Sequence, residues 1–213
     1  MHIEPGFVSA TKIVVANVAA IGVLGGHAIH LFRQPTLIVR TLLAALFFSI
    51  FMQSFHMPAG ASELHFIGAM PMYLILGFVP TLLGFGLGLA LQGLLFEPAD
   101  LVHLGVNTLT LAVPLMLLHY SLGQRLRELT ISRIVKLDAV FYAGVTLMVG
   151  FWLALGSEAT PLADWLKFVA AYAPLVLIEP LITLALVRLL MPLSEHPVAR
   201  LCTVLETHRA AAH

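Results

Sequence analysis

The chain opens with Met1-His2, a dipeptide able to chelate a metal. A free α-amine has a pKa of about 7.7–8.0, so a metal can displace its proton near neutral pH. The next amide nitrogen lies one five-membered chelate ring away, and the His2 imidazole closes a six-membered ring. Three nitrogens are thereby presented in one plane, and a histidine from elsewhere would complete a square. Square-planar nitrogen coordination selects Ni(II) or Cu(II), and Co(II) also occupies such sites. Any residue added before Met1 would destroy the site. The segment lacks the basic region and small-residue cleavage site of a signal peptide, so Met1 and His2 are expected in the mature chain. Pro5-Gly6 makes a turn that can fold the terminus back on the protein. Three histidines compete for the fourth position: His56 and His65, which bound the segment HMPAGASELH, and His103.

The rest of the composition says where such a site must be built. Apolar types make up 60% of the 213 residues and charged types only 10%. Mean hydropathy is +0.98. A water-facing globule carries about 25% charge, so an all-α polytopic membrane protein is predicted. Eleven basic and eleven acidic residues cancel, which gives no basic footprint for nucleic acid. One cysteine, Cys202, excludes an internal disulfide framework. No phosphate-binding G-x-x-x-x-G-K-[ST] run occurs, so ATP-driven work needs a partner chain.

A bilayer core of about 30 Å needs roughly 20 apolar residues as helix. Apolar blocks fall near 9–32, 36–55, 66–96, 101–122, 136–156 and 163–191. Block 66–96 is too long for one crossing and contains Pro71, Gly77 and Pro80, which predicts two short spans, 66–78 and 80–96, joined by a tight turn. Seven spans with the N-terminus outside then put Arg33, Arg40, Arg125, Arg127, Arg133, Lys136, Arg200 and Arg209 inside, as the positive-inside rule prefers. Residues 1–192 are predicted to form the transmembrane domain and 193–213 a short cytoplasmic tail. The outer face collects Glu4, Glu63, Glu97, Asp100, Glu158 and Asp164 together with His2, His56, His65 and His103. An acidic, histidine-rich rim suits an arriving cation.

These features converge on a known family. The chain resembles the substrate-binding membrane subunit of energy-coupling-factor transporters for cobalt or nickel. The opening Met1-His2-Ile3-Glu4-Pro5-Gly6 is similar to that family's M-H-I-x-x-G. Ser62-Glu63-Leu64-His65-Phe66-Ile67-Gly68 is similar to its S-x-x-H-x-x-G block. Gly105-Val106-Asn107-Thr108 with Pro114 resembles a third run, and Gln92 matches a glutamine upstream of it. The motifs fit over about residues 1–120; beyond that, only hydropathy and span number agree. The resemblance implies a substrate metal, Co(II) or Ni(II), held by the Met1 amine, the His2 amide nitrogen and imidazole, and His65. It implies that Asn107, Gln92 and Glu63 orient the ligands through hydrogen bonds. It implies separate ATPase subunits, a coupling transmembrane subunit, a small accessory membrane subunit, no organic cofactor, and a prokaryotic plasma membrane. The sequence departs from the family at Phe66-Ile67, where Pro-Thr is usual, and at Phe96–Asp100, usually rich in histidine and glycine. Both changes leave the ligands intact and alter their surroundings.

Other intramembrane polar residues need a reading. Asn17, Gln53, Asp138, Glu179 and Arg188 lie in or near apolar spans, where ionisable groups are functional candidates. Glu179 beside Pro180 is either a relay for protons or cations or a paired carboxyl at a kink. Asp138 and Arg188 are expected to snorkel from span ends. Gly22 with Gly26, Gly84 with Gly86 and Gly88, and Ala16 with Ala20 permit close helix approach, either internal or to a partner subunit. His27, His30 and His119 raise an alternative, a haem-binding electron carrier. A metallohydrolase would need H-E-x-x-H, which is absent.

Overall fold

The computed structural model describes residues 8–54, 56–59, 62–125, 129–156 and 161–205. Helix α1 spans Ala10–Arg33 and stops at Gln34, whose neighbour Pro35 disfavours helical geometry before it. Helix α2 spans Thr36–Ser54. Two short strands follow, β1 (His56–Ala59) and β2 (Ser62–His65), paired antiparallel with His56 opposite His65. Then come α3 (Ala69–Leu76) and α4 (Phe78–Leu95). A 3-10 segment, Pro98–His103, leads into α5 (Leu104–Ser121). Helices α6 (Ile131–Ala154) and α7 (Leu162–Leu190) complete the bundle. A short α8, Pro197–Cys202, opens the segment expected as the tail and packs against α2.

Among the described residues, six helical segments are long and apolar enough to cross a bilayer: α1, α2, α4, the Pro98–Ser121 run containing α5, α6, and α7. The break expected in block 66–96 falls at Gly77, with φ 96°. The first half differs from the predicted short span. At 1.5 Å per residue, α3 is about 12 Å long, well short of a crossing. Residues 66–68 are not helical, and Gly68 sits at φ 63°. The Phe51 ring fills the place a Gly68 side chain would take, so both the dihedral and the packing require glycine there. Between α2 and α4 the chain therefore passes through a hairpin and a half-length helix.

Tertiary hydrogen bonds sort the helix ends onto two faces. On the face holding the hairpin, Lys12 Nζ donates to the Leu155 carbonyl at 2.6 Å, the Gly105 N–H donates to Asn17 Oδ1 at 2.7 Å, and Gln53 Nε2 donates to Gln92 Oε1 at 2.7 Å. On the opposite face Arg40 donates to the carbonyls of Leu201 and Arg200, and the Val204 N–H donates to the Ile75 carbonyl at 2.8 Å.

The core centres on α3, all of whose residues are buried. It is enclosed by α2, α4, α6 and α7. Between lipid-immersed helices, close packing rather than water release drives association. That is visible at α2 and α4, where Gly84 lies against the Ala44 backbone and Gly88 against Phe48. Ala16 and Ala20 of α1 are likewise buried, whereas Gly22, Gly25 and Gly26 face open space.

Candidate metal centre

His65 is the last residue of β2 and is buried, 6% exposed. Its Nδ1 lies 3.4 Å from the Met52 carbonyl near the end of α2. In the tautomer that donates this bond, the ring's lone pair is on Nε2, the form a metal requires. Four residues later α3 begins, and α7 supplies the anion at its N-terminus. The Met70 N–H donates to Glu179 Oε1 at 2.9 Å, with the amides of Gly68 and Ala69 beside the same carboxylate. A carboxylate at this position offsets the unpaired amides and the positive end of the helix dipole.

Glu179 is itself held from α6, whose Tyr142 hydroxyl donates to Oε2. Tyr172, one of α7's buried residues two turns before Glu179, brings its hydroxyl beside the His65 backbone without reaching hydrogen-bond geometry. Asp138 packs beside Glu179, and neither of its oxygens meets a donor among the described residues. It is fully buried, which corrects the expectation that it snorkels. It sits two turns inside α6, beyond the reach of its short side chain to the helix end.

The other predicted residues divide. Gln92 is buried and ties α4 to α2, donating to the Ser49 carbonyl at 2.8 Å and accepting from Gln53. Asn107 is buried on α5. Asn17, read only as a polar residue within a span, joins α1 to the start of α5 through Gly105. His103 is buried, and neither ring nitrogen has a partner among the described residues. Glu63 and His56 fall on β2 and β1. Met1 and His2 lie outside the described residues. Among the described residues no group of three or more His, Cys, Asp or Glu could hold a metal. Of the predicted donors, only His65 falls among the described residues with its side chain placed.

Sequence reasoning did not find Tyr142 and Tyr172. The available signal was the spacing of Tyr172 and Glu179, which puts both on one helical face. The haem alternative meets a packing obstacle. Phe78 lies between the rings of His27 and His119, edge-on to the first at 5.5 Å and stacked on the second at 3.9 Å. That phenyl ring fills the space an iron between those two histidines would need.

The family described as a cobalt uptake substrate-specific transmembrane region matches residues 2–196. No curated protein matches the chain. A solved structure described as the crystal structure of a transition metal transporter superposes with a TM-score of 0.68 at 20% identity, covering 99% of this chain and 98% of that one. At that identity the likeness is one of fold.

Proposed function

The chain belongs to the cobalt uptake substrate-specific transmembrane family, and from that premise we propose that it is the metal-capture subunit of an energy-coupling-factor importer for Co(II) or Ni(II). The Met1 amine, the His2 amide nitrogen and imidazole, and the His65 imidazole form the donor set. They strip water from the ion and release the amine and amide protons as they bind it. Segment 56–65 closes over the bound ion. The hairpin face is the outer face, since Arg33, Arg40, Arg133, Lys136 and Arg200 lie toward the other. Separate ATPase chains and a coupling membrane subunit drive reorientation and inward release, and this chain carries out no covalent chemistry.

The observation that carries this reading is the placement of His65. A histidine ends a strand inside a membrane bundle, buried and backed by a carbonyl. It lies on the face where α1 begins. Val8 is anchored in the core, so residues 1–7 have roughly 25 Å of reach when extended.

The test is titration of metal-free full-length protein, tagged only at the C-terminus, with Ni(II) and Co(II). A variant with one alanine inserted between Met1 and His2 is titrated in parallel. The native chain is expected to bind one equivalent tightly and the insertion to abolish binding, with the tighter metal naming the substrate. Equal binding by both forms would overturn the chelate.

A further inference from the structure

The buried carboxylate of Glu179 grips the backbone that follows His65. Residues 66–68 connect strand and helix, with Gly68 in the left-handed conformation that glycine adopts without strain. Helix α3 is packed against four helices, and hydrogen bonds fix both its ends. At its far end the Val204 N–H bonds the Ile75 carbonyl. At its near end the grip comes from α7, through Glu179 on Met70. Tyr142 fixes the other carboxylate oxygen, and the Thr183 hydroxyl donates to the Glu179 backbone carbonyl at 2.8 Å.

We propose that Glu179 is a positioning residue for metal capture, seating the start of α3 so that the His65 ring is presented to the metal. This rests on the metal-capture reading and extends it to α7, a helix that contributes no ligand. It also assigns a role to an acidic residue in an apolar span, where an unpaired one would not be tolerated. Removing a group that orients a ligand costs about 10–100-fold in metal affinity. The loss should follow how well the replacement reaches the Met70 N–H. Glu179→Gln keeps an acceptor at full length and should stay within about threefold of the native protein. Glu179→Asp withdraws the acceptor by one methylene and should lose about tenfold, and Glu179→Leu should lose most.

The experiment uses the full chain with its native N-terminus and measures three things. These are Ni(II) affinity, the ligand-field spectrum of the bound ion, and melting of the metal-free form. Trp165→Phe is the control, since it removes a hydrogen bond from α7 to the Thr146 carbonyl of α6, away from Glu179. The expected result is graded affinity loss with a shifted Ni(II) band in the Asp and Leu variants, and native affinity in Trp165→Phe. If Glu179→Leu does not fold, the order of Gln and Asp decides. Equal affinities for those two, or lower melting with native affinity and spectrum, would overturn the proposal. If the unaltered chain binds no metal, the metal-capture reading fails and takes this proposal with it.

Discussion

Histidines gather at both ends of the bundle, and their neighbours give them different chemistry. At one end His65 closes a strand, buried against a carbonyl from α2. At the other, His119 lies flat on Phe78 and shares a 2.9 Å hydrogen bond with the Tyr73 hydroxyl. His27 meets the edge of the same phenyl ring, and His30 is exposed beside it. A ring stacked on an aromatic face and bonded through Nδ1 to a phenol acts as packing with one polar tether. A ring at a strand end, followed by a helix start that Glu179 of α7 grips, sits as the capture proposal requires. Residue type is the same at both ends, and the surrounding contacts are what differ.

The largest effect that would sharpen this contrast is His65→Ala. It deletes a proposed ligand and should cost more than the 10–100-fold typical of an orienting group. Metal-free melting should fall moderately, because a buried ring and its bond to the Met52 carbonyl are lost. Calorimetric titration with Ni(II), beside a melting curve, checks both. His65→Ala binding with native affinity would erase the distinction between the two ends and return the fourth-ligand role to His56 or His103.

Gly68→Ala should act on stability and capture together. A non-glycine residue at φ 63° is strained, and its methyl collides with the Phe51 ring. Strain and overpacking together cost about 2–4 kcal/mol. The segment can relax only by moving the start of α3, which carries His65 with it. Lower melting and weaker Ni(II) binding are expected in the same variant. Unchanged affinity in a clearly destabilised protein would show that this connection does not set the ligand's position.

How much of this was readable from the chain differs by element. The apolar blocks announce the spanning helices because bilayer thickness fixes their length. Pro80 with Gly77 marks the break before α4 because proline and a positive φ leave local signatures. The hairpin left no such signature. Segment 56–65 contains Pro58 and does not alternate cleanly, and it pairs because unpaired backbone is too costly within a membrane bundle. Gly84 with Gly88 and Gly22 with Gly26 share one spacing, yet the first pair packs on α2 and the second meets nothing among the described residues. Spacing cannot say which neighbour arrives. The grip of Glu179 on Met70 joins residues 109 apart in sequence, so no local pattern encodes it. His65 was singled out by the resemblance of its block, and no local pattern announced that it would be buried.

The smallest effect probes the opposite end. Tyr73→Phe removes the hydroxyl that meets His119 and leaves the ring stack on Phe78 in place. A part-buried hydrogen bond of this kind contributes about 0.5–1.5 kcal/mol. The cost is softened because the His119 ring is half-buried and water can reach its edge. A modest drop in melting temperature is therefore expected, with Ni(II) affinity equal to that of the native chain. The measurement is informative because Tyr73 lies on α3, the same helix whose first turn follows His65. If α3 transmitted every disturbance along its length, a change at Tyr73 would reach the metal. The Glu179 grip at the near end predicts that it does not. A loss of affinity beyond about threefold, small against the 10–100-fold cost of removing a ligand-orienting group, would mean that the two ends of α3 act as one unit. His119 and its neighbours would then belong to the capture machinery.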